Sequence, residues 1–459
     1  MRESGVLMPI FSLPSEYGIG CFSTEAYRFV DLLVQSKQKY WQILPLCPIG
    51  GGNSPYQSCS AFAGNYLFID VEEFVARGYI SIEEFNSYDW GNNPDRIDYD
   101  KVKENKSKIL WKAFIKYTEE ESLFRYLDFT IKNKSWLIPY AEYMAEKEGK
   151  PTNYYIFEQY IFDKQWTNLK TYANAKGIKI IGDLPIYVSL ESADVEYNKE
   201  LFQLDENGHA VNIAGCPPDD FSADGQVWGN PLYDWDKHKE TNYEWWTQRI
   251  KRSFDLYDVV RIDHFRAFYD YFSIPAKDNH ARNGQWKLGP AMDFFNVIKD
   301  KLGELNFIAE DLGYLSPGVH DLMRDTGFPG MKILQFAFNG GKDNPYLLEN
   351  LGTDNCVIYT GTHDNDTTTG WFNKASDWEK HHLGQYIYYE NACRAMIELA
   401  MSSRANLCII PMQDYLDLDS DARINVPGTA TGNWEWRLRK MPRYNITYYI
   451  KYFVDKYNR

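Results

Sequence analysis

No stretch of the 459 residues approaches the ~18–20 uncharged apolar residues that a membrane helix needs, so no membrane partner is expected. The opening MRESGVLMPIF carries no apolar signal core followed by a small-residue cleavage site, so secretion is not expected either. Cysteine is sparse and scattered: seven residues stand at 21, 47, 59, 216, 356, 393 and 408, with no CxxC. An odd number at wide spacing fits neither a disulfide frame nor a zinc site, and reads as free thiols in a reducing cytoplasm. Positive charge is in deficit. Lys and Arg number 49 against 64 Asp and Glu, a net −15 that would repel phosphate backbones, so nucleic acid is not an expected partner. Nothing in the sequence asks for a cofactor, a catalytic metal or a structural calcium.

Aromatic residues, by contrast, are plentiful. The 14 Trp, 35 Tyr and 26 Phe make up 16% of the chain. Such rings fill cores, and they also stack on flat apolar ligand faces.

The chain shows no internal repeat and no low-complexity run. Eight short apolar runs rich in β-branched and aromatic residues read as buried strands: Gly5 to Met8, Tyr40 to Leu46, Ile178 to Ile181, Val259 to Ile262, Phe307 to Ala309, Ile333 to Phe338, Cys356 to Tyr359 and Leu407 to Ile410. Helical patterns fall between many of them, at Ala26 to Gln35, Tyr155 to Lys176, Glu244 to Phe254 and Pro290 to Leu302. Eight strands alternating with helices predict an α/β fold, a parallel (β/α)8 TIM barrel.

Gaps of about 130 residues between strands two and three, and about 75 between three and four, exceed one crossover helix and predict insertions. The expected organisation is one catalytic barrel over 1–459 with insertions at about 50–176 and 189–256. The first is rich in helix formers and charge; the second holds a Gly-, Pro-, Asp- and aromatic-rich stretch, Asn212 to Trp235, that reads as an ordered functional loop. The roughly 45 residues after strand eight are too few for a usual domain, so no C-terminal β-sandwich is expected.

Several predicted strands run into an acid: Asp183 in IIGDLP, Asp263 in VVRIDHF, Glu310 and Asp311 in FIAEDLG, and Asp364 in VIYTGTHDN. Barrel active sites lie at the C-terminal strand ends, which would gather these acids at one mouth. Each acid alone equally fits the N-cap of the next helix. Converging carboxylates are what glycosidic bond cleavage needs: one acid protonates the leaving oxygen, and a second carboxylate attacks the anomeric carbon in retaining enzymes. Arg261 stands two residues before Asp263, on the same face of a strand, where a guanidinium would keep Asp263 ionised. A structural ion pair is the plainer reading of Arg261, and both can hold. Glu310 would need the opposite, a raised pKa. Acids at several strand ends also fit a magnesium site for enolate chemistry, with His264 or His363 as base.

The motifs SLPSEYGIG (12–20), YWQILPL (40–46), GNSPYQSCSAFAGN (52–65), GDLPIYV (182–188), AGCPPDDFSADGQVWGNPLYDW (214–235), VRIDHFRAF (260–268), IAEDLG (308–313), LQFAF (334–338), GTHDN (361–365) and GNWEWR (432–437) follow in order along nearly the whole chain. On these the sequence resembles the amylomaltases, or disproportionating enzymes, 4-α-glucanotransferases related to the α-amylase clan. The resemblance implies a (β/α)8 barrel with insertions. It also implies retaining transfer between α-1,4-glucans through a covalent glucosyl-enzyme, with malto-oligosaccharides as partners and glycogen or starch as polymers. Carried over by position, it makes Asp263 the nucleophile, Glu310 the general acid/base and Asp364 the acid that grips the bound glucose. Arg261 and His363 become donors around that sugar. Tyr56 becomes the ring stacked on it, with Ser54, in the same GNSPYQ motif, substrate-binding, Asp183 a supporting acid and Phe336 an acceptor-side contact. Asp220 and Phe221 fall on a loop covering the site, and Trp228 follows it. The family commonly has Tyr at Asp220 and Pro at Tyr66, departures that leave the carboxylate trio untouched. Tyr56, His363, Trp228 and Phe336 each also fit plain core packing. A hydrolase would use the same carboxylates with water as acceptor, so these residues alone do not separate it from a transferase.

Overall fold

Twelve strands, in two sheets, carry the architecture of the computed structural model, which describes residues 2–120, 123–218, 224–313, 315–388 and 390–459. In chain order they are β1 (Glu3–Leu7), β2 (Tyr40–Gln42), β3 (Lys179–Leu184), β4 (Asn212–Cys216), β5 (Gln226–Pro231), β6 (Val259–Ile262), β7 (Asp270–Pro275), β8 (Gln285–Leu288), β9 (Phe307–Ala309), β10 (Gly330–Ile333), β11 (Cys356–Tyr359) and β12 (Leu407–Pro411). Eight of them form one sheet in the order β10-β11-β12-β1-β2-β3-β6-β9, with every neighbouring pair parallel. The Ala309 N–H donates to the Pro329 carbonyl at 2.9 Å and carries the last strand back to the first, so the sheet closes as the expected TIM barrel. After β12 the described residues hold helices and no strand.

Period-two alternation sorts each barrel strand into an inner and an outer row. Leu7, Ile181, Ile308, Met331, Ile333, Val357, Tyr359 and Ile409 form a buried cluster inside the barrel. Ile180, Leu184, Val260, Ile262, Phe307 and Ala309 belong to the large outer core, under the helices. One step past the apolar inner residues, the inward positions turn polar: Asp183 follows Ile181, and Glu310 follows Ile308. The mouth is therefore built as a polar layer standing on an apolar plug.

Two expectations are corrected. The sixth strand is Gly330–Ile333, not Ile333 to Phe338, because Leu334–Phe336 turns into a 3-10 helix at the barrel rim. Apolar composition continues past the strand because these residues pack against the plug and its surroundings. The stretch Asn212 to Trp235 is not simply a loop. It contributes β4 and β5 to an antiparallel sheet of order β5-β4-β7-β8. Its Gly, Pro and Asp content masked the pairing, which is made with β7 far along the chain. The first insertion is helical, with helices Tyr99–Glu120, Leu123–Glu148 and Thr152–Ala175.

Candidate active site

The capping alternative fails for all five acids. The helices that follow Asp183, Glu310 and Asp364 start at Ser192, Ser316 and Thr367, and the turn after Asp263 starts at His264. Asp311 is different: its side chain accepts the Met331 N–H at 2.6 Å and ties β9 to β10.

Backbone register brings the central pair together. Asp183 lies opposite Arg261 across β3 and β6. Just past β6 and β9, the Glu310 N–H donates to the Ile262 carbonyl at 3.0 Å, and the Phe265 N–H donates to the Glu310 carbonyl at 3.2 Å. Asp263 and Glu310 thus leave adjacent strands at one level.

Arg261 is the buried cation of the cluster. Its Nη1 donates to both oxygens of Asp183, at 2.8 and 2.7 Å, and its Nη2 donates to Asp263 Oδ1 at 3.0 Å. The guanidinium fork suits this double task, since its donors are rigid and its charge is permanent. Asp263 Oδ2 makes no hydrogen bond to the described residues. Burial pushes the Asp263 carboxyl well above the usual carboxylate range. Arg261 pulls it down, and the charges of Asp183, Glu310 and Asp364 push it up. Its ionisation depends on a cation that it shares with Asp183.

Glu310 is also pushed up, first by burial, while Arg261 and two backbone donors oppose the shift. Those donors are His264 N–H to Oε2 at 2.7 Å and Leu312 N–H to Oε1 at 3.2 Å. His264 holds a left-handed backbone, φ +49, which aims its N–H at Glu310. That conformation costs roughly 1–2 kcal/mol for a residue with a Cβ.

The far wall is a relay of neutral groups. Tyr56 donates its hydroxyl to Asp183 Oδ2 at 2.6 Å, and the phenolic oxygen of Tyr56 lies 2.9 Å from His363 Nε2. The single phenolic proton points to Asp183, so His363 must donate from Nε2. Burial holds the imidazole below its ordinary value and the phenol well above its own, so both stay neutral near pH 7. The two rings stack at 5.5 Å, 14° apart. His363 Nε2 also lies 3.3 Å from Asp364 Oδ2. Asp364 Oδ1 accepts from Asn425 Nδ2 at 2.7 Å, and Arg423 donates to the Asp364 carbonyl at 2.6 Å. The Asp364 side chain is 42% exposed, open for a ligand.

The remaining expected residues fall around this centre. Ser54 braces the loop rather than facing the acids, accepting the Tyr56 N–H at 3.1 Å. Trp228, on β5, stands edge-on to the His264 ring at 4.9 Å, and its carbonyl accepts from Gln57. Phe336 is half-buried at the rim against the inner plug, edge-on to Tyr346 at 5.5 Å. Asp220 and Phe221 lie outside the described residues. Tyr66 sits on the other side of the Tyr56 loop, away from the acids.

Sequence reasoning gave no site role to Asn425, Arg423, Trp434 or the His264 backbone. Trp434 packs beside Tyr56 and His363, at 5.6 and 6.0 Å, from a left-handed backbone of φ +64. The signal available was Trp434 itself, in the motif GNWEWR. Among the described residues no group of three His, Cys, Asp or Glu is placed to hold a metal ion, and no helix is long and apolar enough to cross a membrane. With acids on several strands and neutral histidines between them, the site can cleave an acetal by acid–nucleophile chemistry and stabilise a cationic intermediate.

Comparison with known proteins meets this geometry. A family model described as 4-alpha-glucanotransferase, of glycoside hydrolase family 77, matches residues 8–153 and 146–442. A 4-alpha-glucanotransferase of Streptococcus pneumoniae is 44% identical over 95% of this chain and 93% of its own length. One from Thermus thermophilus is 40% identical over 95% of each chain. The solved structure of an amylomaltase from Streptococcus agalactiae in complex with acarbose superposes with a TM-score of 0.96 at 40% identity, covering 100% of both chains.

Proposed function

Since the chain belongs to this family of 4-alpha-glucanotransferases, we propose that its catalytic centre is Asp263, Glu310 and Asp364, acting in a two-step retaining transfer between α-1,4-glucans. The protein is an enzyme, a 4-α-glucanotransferase (amylomaltase). The observation that carries the assignment is the pairing of Asp263 and Glu310 on adjacent strands, the first held by the Arg261 guanidinium at one oxygen and the second by two backbone N–H groups.

Asp263 is the nucleophile. Arg261 holds Oδ1, and Oδ2 is free to attack the anomeric carbon of a bound glucose unit. Glu310 gives its proton to the departing glycosidic oxygen, from the Oε1 side held by the longer bond. The glucosyl ester on Asp263 and the freed chain are the first products. Glu310, now ionised and steadied by the His264 and Leu312 N–H groups, takes the proton of an acceptor 4-hydroxyl, and that oxygen displaces Asp263. Asp364 and Asp183 surround the oxocarbenium-like transition state with negative charge. Tyr56, His363, Ser54, Trp228 and Phe336 are read as binding and bracing groups for malto-oligosaccharides. The whole chain is read as one cytoplasmic catalytic unit, its insertions bounding the barrel mouth.

Incubation with maltotriose tests this. The wild type should give a ladder of shorter and longer oligosaccharides with total reducing ends nearly constant. Asp263→Ala and Glu310→Gln should both lose it. Full activity in either variant removes that residue from its role.

A further inference from the structure

The helical insertion encloses a second cavity, on the opposite side of the Tyr56 loop from the carboxylate cluster. It measures about 330 Å³ and lies between the loop 48–66 and the helices Tyr99–Glu120, Leu123–Glu148 and Thr152–Ala175. That volume is in the range of small-molecule sites and far exceeds a structural water pocket. Its inner wall is tyrosine: Tyr66, Tyr140, Tyr154 and Tyr155.

Two half-buried lysines, from separate elements, line it. Lys103 Nζ donates to the Asn53 side-chain oxygen at 2.7 Å, and Lys150 Nζ donates to Ser107 Oγ at 2.6 Å while lying 4.5 Å over the Tyr154 ring. Each ammonium has three donors, and only one is used in each case. Among the described residues neither lysine has a carboxylate within ion-pair distance, in a chain of net charge −15. The acids that share the cavity are otherwise engaged. Glu191 sits on the rim opposite Lys147 at 4.0 Å, and Glu148 accepts the Tyr155 hydroxyl at 2.9 Å. Glu158 is 3% exposed, and burial pushes its carboxyl up to about 8, so at pH 7 it is a neutral donor.

We propose that this cavity is a second ligand site and takes a phosphorylated monosaccharide, its phosphate held by Lys103 and Lys150 and its sugar lying on the tyrosine wall. Two unpaired cations match a phosphate monoester of about −1.5 to −2 at neutral pH. Bare phosphate would satisfy the lysines and leave most of the volume unused. A neutral sugar would use the rings and leave the lysines uncompensated. The site reaches the catalytic centre through one loop. Gly50, Gly51 and Gln57 wall the cavity and Asn53 holds Lys103, while Tyr56 of the same segment, braced by Ser54, stands at the acids.

The groups facing Glu158 set a pH signature. Glu148 raises it, and Lys150 with the Gln159 and Tyr154 side chains lowers it. Ionisation above pH about 8 adds a negative charge beside the phosphate, so affinity should fall through that pH and Glu158→Gln should flatten the fall.

The experiment is calorimetric titration of the full chain with glucose 6-phosphate, inorganic phosphate and glucose, repeated on Lys103→Ala/Lys150→Ala and Glu158→Gln. Glucose 6-phosphate should bind at least about tenfold more tightly than phosphate or glucose, and the double lysine variant should lose that advantage while keeping its basal transfer rate. Equal binding of glucose and its phosphate, binding undiminished in the lysine variant, or no saturable binding overturns the site. Tighter binding of free phosphate than of the ester overturns the sugar part. An unchanged KM for maltotriose in the saturated enzyme overturns the coupling through the loop.

Discussion

Two acids at the barrel mouth, Asp263 after β6 and Asp414 after β12, meet opposite fates. Asp414 is 2% exposed, and each of its oxygens is taken: Oδ2 by the Thr360 and Thr368 hydroxyls at 2.5 and 2.7 Å, and Oδ1 by the Thr368 N–H at 2.8 Å. Burial raises its carboxyl too, and these neutral donors oppose the shift. Asp263 has one bond, from a cation it shares, and an oxygen left open toward the mouth. The first arrangement is a clamp that fastens β11 to β12, and the second is a reagent. What separates them is the filling of the last lone pairs and the access that goes with it, since the Asp263 side chain is 27% exposed, not position on the barrel.

The largest effect that sharpens this contrast is on turnover. Asp263→Ala should lower the disproportionation rate by on the order of 10⁵-fold with little change in melting temperature, as initial rates and thermal unfolding would show. Arg261→Lys should come next. A lysine cannot bridge Asp183 and Asp263 with a planar fork, so kcat/KM should fall by roughly 10²-fold. Arg261 lowers the Asp263 and Glu310 carboxyls, so weakening it should move the acid limb of the pH–rate profile upward; an unmoved limb would deny Arg261 its electrostatic part.

Asp414→Ala should reverse the pattern. Two threonine hydroxyls and an amide would lose their acceptor, costing roughly 3 kcal/mol in denaturant unfolding, while the folded fraction keeps a kcat within about twofold of wild type. A large kcat loss would move Asp414 into the working machinery and erase the comparison.

The smallest effect is a gain. Glu310 binds its proton more tightly folded than unfolded, so its contribution to stability is full below the unfolded value near 4.3 and is lost as pH rises through the raised folded value. Above the unfolded value the burial of Glu310 therefore weighs against folding. Glu310→Gln should then raise the melting temperature by about 1–2 °C at pH 7 and by less at pH 4, read by calorimetry.

Much of this was legible in the sequence because the barrel writes its inner row at period two. Ile181–Asp183 and Ile308–Glu310 show apolar plug and polar mouth in adjacent letters, and the motif order named the family. The reading stopped where partners lie far apart in the chain. Nothing near Arg261 announces that Asp183, from another strand, takes its Nη1. Asn425 reaches Asp364 from 61 positions away, and β4 pairs with β7 across a stretch whose Gly and Pro look like loop. Asp414 and Asp263 look alike as acids after strands; only the placement of Thr360 and Thr368 tells them apart.

The most direct test of the account is to trap the ester. Glu310→Gln enzyme, given an α-maltosyl fluoride whose leaving group needs no acid, should accumulate a covalent adduct, and peptide mass spectrometry should place it on Asp263 within 260–268. An adduct on Asp364, Asp183 or Asp414, or steady turnover of the fluoride by Asp263→Ala, would contradict it.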